Sequence, residues 1–406
     1  MRQRQLLYLL TAIFAIALTG CSNDAVEEGS YDEWTKGMVI VEAGENYLYF
    51  VPTSDGQGMM LTYDRTNMSF EQLVRMMGGS VEAAEGGSEI KGLLTYQGDI
   101  VIPSVVNGKP VTAIDQYAFA GNVELTSVII PESVTDIGQE SFGQCPKLNS
   151  LTLPSGVKEI KAGTFCGNSV TEIFIPDGLK TIHHFAFLKN TRLKTVHINP
   201  DNSQLEEIGK SAFYGCSELT DFDMPESVKK VGEEVFYGCS KLPTMTVPSN
   251  WTVIPMGIYG GLSSLTDIVI PASITEICDK AFSDCIRLVD IYFEDNSNLK
   301  TLGAKAFYNC KTIKTLTFKG LETINDQAFM NCAAMTSITL NDGLRTIGTQ
   351  VFEGCKKLSE IHIKSSVPPT ASDVITTTAT VYIPNGSLEA YMQAPYWNSI
   401  TNYVEE

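Results

Sequence analysis

One repeated pattern fills most of this chain and constrains its fold more than any other feature. Eleven copies, spaced by 22 to 26 residues, begin at Val111, Val134, Val157, Leu179, Leu205, Val228, Trp251, Ile274, Leu299, Leu321 and Leu344. A period in this range is typical of a stacked solenoid, in which no unit can bury its apolar face alone. Because solenoids present large surfaces, the sequence favours binding over catalysis.

Each copy contains two apolar patterns, which predict two opposite walls. The first pattern is Leu-x-x-apolar-x-apolar, usually followed by proline, as in the segment from Leu125 to Pro131. It predicts a short strand with Val128 pointing inward and Ser127 and Ile129 pointing outward. The second pattern, Ile-x-x-x-Ala-Phe, predicts a single helical or 3₁₀ turn. Together they predict an α/β solenoid with a parallel β-sheet on its concave face and short helical turns opposite.

An aromatic column runs through the second pattern. Its members are Phe119, Phe142, Phe165, Phe187, Phe213, Phe236, Phe282, Phe307, Phe329 and Phe352, with Tyr259 in the remaining copy. A row of aromatic side chains can bind a ligand, but the constant register and the apolar neighbours favour a structural spine within the core.

Most of the cysteines form a second column, three residues after the aromatic. They are Cys145, Cys216, Cys239, Cys285, Cys310, Cys332 and Cys355, while Asn122, Asn168, Asn190 and Leu262 occupy this place in the other copies. Cysteine and asparagine can both donate a hydrogen bond to a carbonyl group. We therefore interpret these cysteines as buried structural thiols rather than disulfides. The chain has no Cys-x-x-Cys pair, and its histidines do not interleave with the column, so no metal site is predicted.

The first 37 residues differ from the rest. Arg2 and Arg4 precede an apolar run of about 13 residues, too short to span a bilayer, that ends at Leu18-Thr-Gly-Cys21. This segment resembles a bacterial lipoprotein signal peptide (residues 1–20), which implies that Cys21 is lipidated and anchors an acidic tether (residues 21–37) to the membrane. The serine and acidic residues after Cys21 resemble signals for the outer membrane and for export to the cell surface.

The repeat itself resembles the leucine-rich repeat, and more closely the BspA-type branch known from Bacteroidetes. The frame Ile-x-x-x-Ala-Phe-x-x-Cys-x-x-Leu, followed by a strand and proline, stands in residues 208 to 225. We expect a solenoid over residues 96–366 and a C-terminal cap over residues 367–406, where Val381 to Pro384 and Trp397 look like the usual family ending. Residues 38–95 do not repeat and are either an N-terminal cap or a small β-rich domain.

The outward positions of the predicted sheet supply the candidate binding residues. Hydroxyl side chains dominate them, with carboxylates and rings near the middle: Glu172, Phe174, His197, Asp221, Asp223, Asp267, Asp290 and Tyr292. Acids beside aromatic rings suit a cationic protein segment or a sugar, although solvated positions of an acidic protein would look the same. Asp267 and Asp290 are predicted neighbours across the ladder, where like charges cost stability.

Composition narrows the function classes further. The net charge of −18 and the lack of any basic cluster argue against nucleic acid as a partner. No Gly-x-Ser-x-Gly, His-Glu-x-x-His or phosphate-loop motif is present, so we predict no enzymatic activity and no cofactor.

Three functional hypotheses follow. The first is a surface lipoprotein that binds a protein or glycan macromolecule, which for a BspA-type protein implies adhesion to a host matrix protein or another cell. The second is a structural or accessory lipoprotein that faces the periplasm. The third is a glycan-capturing accessory protein of an outer-membrane uptake system.

Overall fold

A computed structural model describes residues 38–43, 45–62, 96–199, 201–373 and 378–406. The predicted signal peptide, Cys21, the tether and much of the predicted N-terminal region (residues 63–95) lie outside these residues. Within the described residues, no helix has the length and apolar character that crossing a membrane requires.

The predicted solenoid is confirmed: the described residues wind into a parallel β-solenoid of about 13 turns and contain almost no helix. One wall carries the longer strands, which we call the long-strand ladder. Its strands are Gly98–Val101, Leu125–Ile129, Ser150–Leu151, Glu172–Phe174, Thr195–His197, Asp267–Ile270, Asp290–Phe293, Thr315–Thr317, Ser337–Leu340, Glu360–Ile363, Thr380–Ile383 and Tyr403–Glu405. These strands fall into separate runs, and within each run neighbouring strands pair in parallel, as the repeated Leu-x-x-apolar-x-apolar pattern predicts.

Two-residue strands form a second parallel ladder, the short-strand ladder, along another wall. It begins with Lys109–Ile114 and continues with Asp136–Ile137, Glu159–Ile160, Thr181–Ile182, Glu207–Ile208, Lys230–Val231, Val253–Ile254, Glu276–Ile277, Thr301–Leu302, Thr323–Ile324, Thr346–Ile347 and Thr370–Ala371. The isoleucine of each copy, for which the pattern predicts a helical turn, lies instead in these brief strands. It stands directly opposite its equivalent in the next copy.

The predicted helical turns around the spine take the form of hydrogen-bonded turns. In each copy, the residues two before and two after the spine aromatic have positive φ angles, as Lys280 (56°) and Asp284 (60°) do on either side of Phe282. Because of this alternation, every second N–H points along the solenoid axis to the next copy; the Phe282 N–H, for example, donates to Ala306 O at 2.8 Å. The intervening N–H groups, such as that of Ser283, close short turns within their own copy. A continuous helix would satisfy its N–H groups internally and would leave the copies unconnected.

The core is one continuous cluster that runs the length of the described solenoid. In nine of the ten successive pairs of spine residues the rings stack with centroids 5.1 to 6.1 Å apart, for example 5.3 Å between Phe282 and Phe307 with planes 1° apart; the exception is Phe236 and Tyr259. Offset stacking of this kind adds to the stabilisation from burial. Constant register therefore turns a column of the sequence into a physical spine.

Different structures close the two ends. Strands Val39–Ala43, Asn46–Pro52 and Met59–Thr62 form an antiparallel ribbon, and the last of them pairs in parallel with Lys109–Ile114. Strand Val105–Val106 folds back antiparallel on the start of Lys109–Ile114. At the other end, helix Leu388–Gln393 and the 3₁₀ turn Trp397–Ser399 bring Tyr391 and Trp397 over the core. The predicted boundaries of the tether, the solenoid and its caps stay predictions.

Candidate binding face

The outward side chains of the long-strand ladder form two columns, which together we call the long-strand face. One column is acidic or hydroxylic: Asp99, Ser127, Ser150, Glu172, Thr195, Asp221, Thr244, Asp267, Asp290, Thr315, Ser337, Glu360 and Thr380. The other contains exposed apolar and aromatic groups, namely Val101, Ile129, Phe174, Val269, Tyr292 and Val404, separated by polar residues and two histidines. Strand alternation produces the division, because residues two apart share one side of the sheet.

Asp267, Asp290 and Tyr292 come together in one part of this face. Asp267 lies directly opposite Asp290 in the parallel register, and Val269 lies directly opposite Tyr292. Val269 and Tyr292 keep 49% and 56% of their surface exposed. Among the described residues, no basic side chain forms a salt bridge with either aspartate. The pair therefore presents two uncompensated negative charges beside an exposed apolar pair.

Glu172, Phe174 and His197 form a second group. The rings of Phe174 and His197 stack with centroids 4.2 Å apart and planes 11° apart. The Nε2 atom of His197 lies 3.2 Å from the Glu172 carboxylate, so an ion pair forms when the imidazole is protonated. The imidazole thus has a ring on one side and an acid at its edge.

Asp221 and Asp223 lie apart from the aspartate pair. Asp221 makes one parallel bridge to Thr195, and neither Asp223 nor the next copy lies in a strand. The N–H of Thr220 donates to Lys194 O, in the copy before it, at 3.0 Å. Pro243 is the residue equivalent to Thr220 in the next copy. Proline has no N–H, so the ladder loses this bond and is interrupted. The sequence placed all the carboxylates in one patch, whereas the ladder separates them into groups.

A third group near the C-terminus was missed. His362 stacks on Tyr382 with centroids 4.4 Å apart, and its Nδ1 atom lies 3.1 Å from the side chain of Glu406. Lys364 also pairs with Glu406. The eleven copies end before Tyr382, but the segment Val381-Tyr-Ile-Pro384 repeats the strand pattern and signalled one further rung of the face.

Ion pairs elsewhere connect successive copies along other parts of the surface. Examples are Lys147 with Glu124 at 2.6 Å and Lys241 with Glu218 at 2.6 Å. The Nε2 atom of His183 lies 2.8 Å from the Glu159 carboxylate, and burial lowers the pKa of its neighbour His184. Such exposed pairs contribute little stability each. They show, however, that a lysine side chain can reach a carboxylate one copy away.

The cysteine column lies inside the molecule. In the described part of the chain all nine cysteines are free thiols. Each thiol of the column donates to the carbonyl oxygen of the spine aromatic one copy earlier: Cys145 to Phe119, Cys216 to Phe187, Cys239 to Phe213, Cys285 to Tyr259, Cys310 to Phe282, Cys332 to Phe307 and Cys355 to Phe329, at 3.0 to 3.2 Å. Asn190 makes the same bond to Phe165 at 2.8 Å. A shared acceptor explains why the two residue types exchange at this position.

Burial raises the pKa of these thiols. Desolvation raises the pKa of Cys145 to about 12 and that of the half-buried Cys355 to about 11. A protonated thiol in a closed interior is neither a nucleophile nor a metal ligand. Among the described residues, no group of three or more Cys, His, Asp or Glu side chains is arranged to hold a metal ion.

Comparison with known proteins supports the fold. Residues 112–205, 202–314 and 292–385 match the BspA-type leucine-rich repeat region. The chain is similar to a leucine-rich repeat protein from Bacteroides ovatus, with 19% identity, a TM-score of 0.51, and coverage of 91% of this chain and 99% of that one. It is also similar to the pneumococcal vaccine antigen PcpA, with 18% identity, a TM-score of 0.55, and coverage of 91% and 98%. No curated protein sequence matches the chain.

Proposed function

The chain belongs to the BspA-type leucine-rich repeat family, and on that premise we propose that it is a non-enzymatic surface lipoprotein that binds a macromolecular partner through the long-strand face. The resemblance of residues 1–20 to a lipoprotein signal supports an anchor at Cys21 in the outer membrane. Repeat proteins of this kind use their surfaces for binding, and the family's members differ on those surfaces.

One observation carries the choice of face. Asp267 and Asp290 are held at strand spacing without a cation, beside the exposed pair Val269 and Tyr292. Like charges directly opposite each other in a ladder cost stability, and exposed apolar side chains gain nothing from water. A partner with cationic and apolar groups would relieve both costs. This combination is the usual chemistry of an interface, where apolar anchors are surrounded by complementary charge.

Localisation is tested first, by protease treatment of intact cells followed by immunoblotting against a periplasmic control protein. Loss of this chain while the control survives supports surface display. Protection of the chain would contradict the surface assignment and favour an accessory protein that faces the periplasm.

The face is tested next, with host matrix proteins, neighbouring bacteria and glycans presented to the purified chain. We expect a protein partner whose binding weakens as salt rises and falls in a variant with Asp221, Asp267 and Asp290 all changed to Asn. Ser150, Thr315 and Ser337 changed to Asn provide a matched control in the same column. Binding that the triple aspartate variant and salt leave unchanged would exclude this face, and capture of glycans alone would favour an uptake accessory role.

A further inference from the structure

The long-strand ladder has three interruptions within the described residues. They lie between Ser150–Leu151 and Glu172–Phe174, between Asp221 and Asp267–Ile270, and between Asp290–Phe293 and Thr315–Thr317. At the first two, the inward side chains stay buried, as Leu151, Phe222 and Met245 do. At the third, Ile291 and Phe293 are only half-buried although they point inward. The third interruption therefore leaves two inward apolar side chains partly accessible.

Two neighbouring phenylalanines hold the third interruption open. Phe293 ends its strand and Phe318 directly follows strand Thr315–Thr317, both at the last inward position of the repeat, where the other copies have Ile, Leu, Val or Met. Their rings are tilted by 56° with centroids 5.3 Å apart, and no backbone hydrogen bond joins the two described strands. Two such rings need more width than an aliphatic pair. The copy before the gap also carries two extra residues, in the loop at 294–298.

The result is a cleft of about 270 Å³ in the long-strand face. Its floor is apolar, formed by Ile291, Phe293, Leu299, Leu316 and Phe318. The exposed ring of Tyr292 stands at one side of the mouth and Thr317 at the other, with Glu294 and Lys319 on the rim. An apolar floor within a polar rim is the usual form of a pocket that receives one large anchoring side chain of a protein partner.

The charges beside the cleft indicate which kind of partner residue lies next to the anchoring side chain. Tyr292 separates the cleft from Val269, and Asp290 and Asp267 lie two residues before these side chains on the same strands. Asp267 accepts a hydrogen bond from the Thr266 hydroxyl at 2.8 Å, but among the described residues neither aspartate forms a salt bridge. On the rim, the Glu294 carboxylate accepts a hydrogen bond from the Ala272 N–H at 2.9 Å, which fixes its position. Glu294 and Lys319 balance each other on the rim, so the excess of negative charge near the cleft comes from Asp267 and Asp290. A partner segment that enters from this side must carry positive charge to complement these acids.

Resting on the function proposed above, we propose that the cleft between Tyr292 and Thr317 receives one aromatic or large aliphatic side chain of a protein partner, next to a lysine or arginine that faces Asp267 and Asp290. The anchor covers Ile291 and Phe293, which the ladder leaves accessible. The basic residue supplies the cation that the aspartate pair lacks. The rest of the long-strand face then contacts the partner only at its surface, because no other partner side chain is inserted between its strands.

The test uses the full chain and a photoreactive peptide, acetyl-Lys-benzoylphenylalanine-Lys-amide, whose aromatic ketone serves as the anchor. On irradiation we expect cross-links within residues 291–299 and 315–320, identified by mass spectrometry. Unlabelled acetyl-Lys-Trp-Lys-amide should compete. Replacing its tryptophan by alanine, or its lysines by glutamates, should weaken competition about tenfold, the size expected for losing an anchor or a few exposed charge pairs.

Two variants separate the cleft from the face as a whole. Thr317→Trp fills the mouth of the cleft and should abolish the cross-links. Thr339→Trp places the same ring directly opposite, on a strand whose ladder is intact, and should leave them unchanged. Cross-links that survive Thr317→Trp, equal competition by the glutamate peptide, or displacement by methyl glycosides instead of peptides would each overturn the proposal. If a cellular partner is lost with the triple aspartate variant but retained with Thr317→Trp, the proposed function stands and the cleft assignment fails.

Discussion

The thiol of Cys310 donates a hydrogen bond to the carbonyl oxygen of Phe282, one copy earlier along the solenoid, at 3.1 Å. The same bond recurs through the cysteine column and is made once by an asparagine. The column therefore connects the turn of one copy to the spine of the copy before it. The cysteines that the sequence predicts to be buried structural thiols are thus hydrogen-bond donors between copies.

Replacing this donor gives the first prediction. Cys310→Ala removes the donor and leaves a small cavity at a fully buried site, so we expect it to lower the free energy of unfolding by about 1–3 kcal/mol. Cys310→Ser keeps a donor at the same place and should cost less than alanine by about 0.5–1.5 kcal/mol. Urea unfolding followed by circular dichroism measures both. Equal loss in the two variants would mean that the sulfur contributes only packing.

Tyr259 gives the second prediction, because its hydroxyl has no hydrogen-bond partner among the described residues although the ring is fully buried. An unpaired buried hydroxyl costs about 1–3 kcal/mol, and every other copy has phenylalanine here. We therefore expect Tyr259→Phe to stabilise the protein.

Tyr391→Phe is the matched control for that change. The Tyr391 hydroxyl donates to Ser365 O at 2.9 Å in the C-terminal cap, so its removal should destabilise the protein by about 1 kcal/mol. Thermal unfolding of the two variants should move in opposite directions. A shift of both in the same direction would contradict the assignment of Tyr259 as unpaired.

The third prediction concerns Lys280, an exposed residue with φ of 56° two residues before the spine. A side chain in the left-handed region costs roughly 1 kcal/mol, and Gly163 and Gly257 occupy the equivalent position in two other copies. Lys280→Gly should therefore raise the free energy of unfolding by about 0.5–1 kcal/mol. Lys280→Ala keeps a Cβ atom and should change stability little. If alanine and glycine act alike, backbone strain is not the cause.

The repeat, both inward columns and the outward residues could be predicted from the sequence, because strict periodicity maps each column onto one direction in a solenoid. The left-handed positions could not. Glycine marks them in some copies, but Lys280 and Lys305 occupy them in others, where the hydrogen bonds between copies impose the conformation. No single copy contains that information.

The details of the face were hidden for a similar reason. The gap between Phe293 and Phe318 arises because two bulky side chains meet in adjacent copies. The repeat pattern marks both positions only as apolar and does not compare side-chain sizes between copies. Likewise, the interruption at Pro243 separates Asp221 from Asp267, although both stand in the same column. The register of the repeats predicts which residues share a face. Side-chain volume and missing N–H groups decide which adjacent strands pair, and therefore which of those residues lie side by side.

Charge repulsion between Asp267 and Asp290 gives the fourth prediction. Asp290→Asn removes one of two like charges that lie opposite each other, so it should raise the free energy of unfolding by about 0.2–1 kcal/mol at low salt. The gain should shrink as salt screens the pair. Ser337→Asn, opposite the uncharged Thr315, is the control and should show no salt dependence. A gain that persists at high salt would assign the effect to something other than charge.

The last prediction uses the buried thiols at alkaline pH. Desolvation holds the pKa of Cys310 well above the ordinary value of 9.0, so the unfolded chain releases this proton at a lower pH than the folded chain does. The stability that this thiol contributes is therefore fully present below pH 9.0 and is lost as pH rises from there towards the folded pKa. Each such thiol costs about 1.4 kcal/mol of folding stability per pH unit in that window.

The difference between wild type and Cys310→Ser isolates one thiol, because the tyrosines and lysines that also titrate in this window are the same in both proteins. Relative to wild type, the variant should gain about 1.4 kcal/mol between pH 7 and pH 10 in urea unfolding. A constant difference across that range would show that Cys310 ionises as readily in the folded protein as in the unfolded chain.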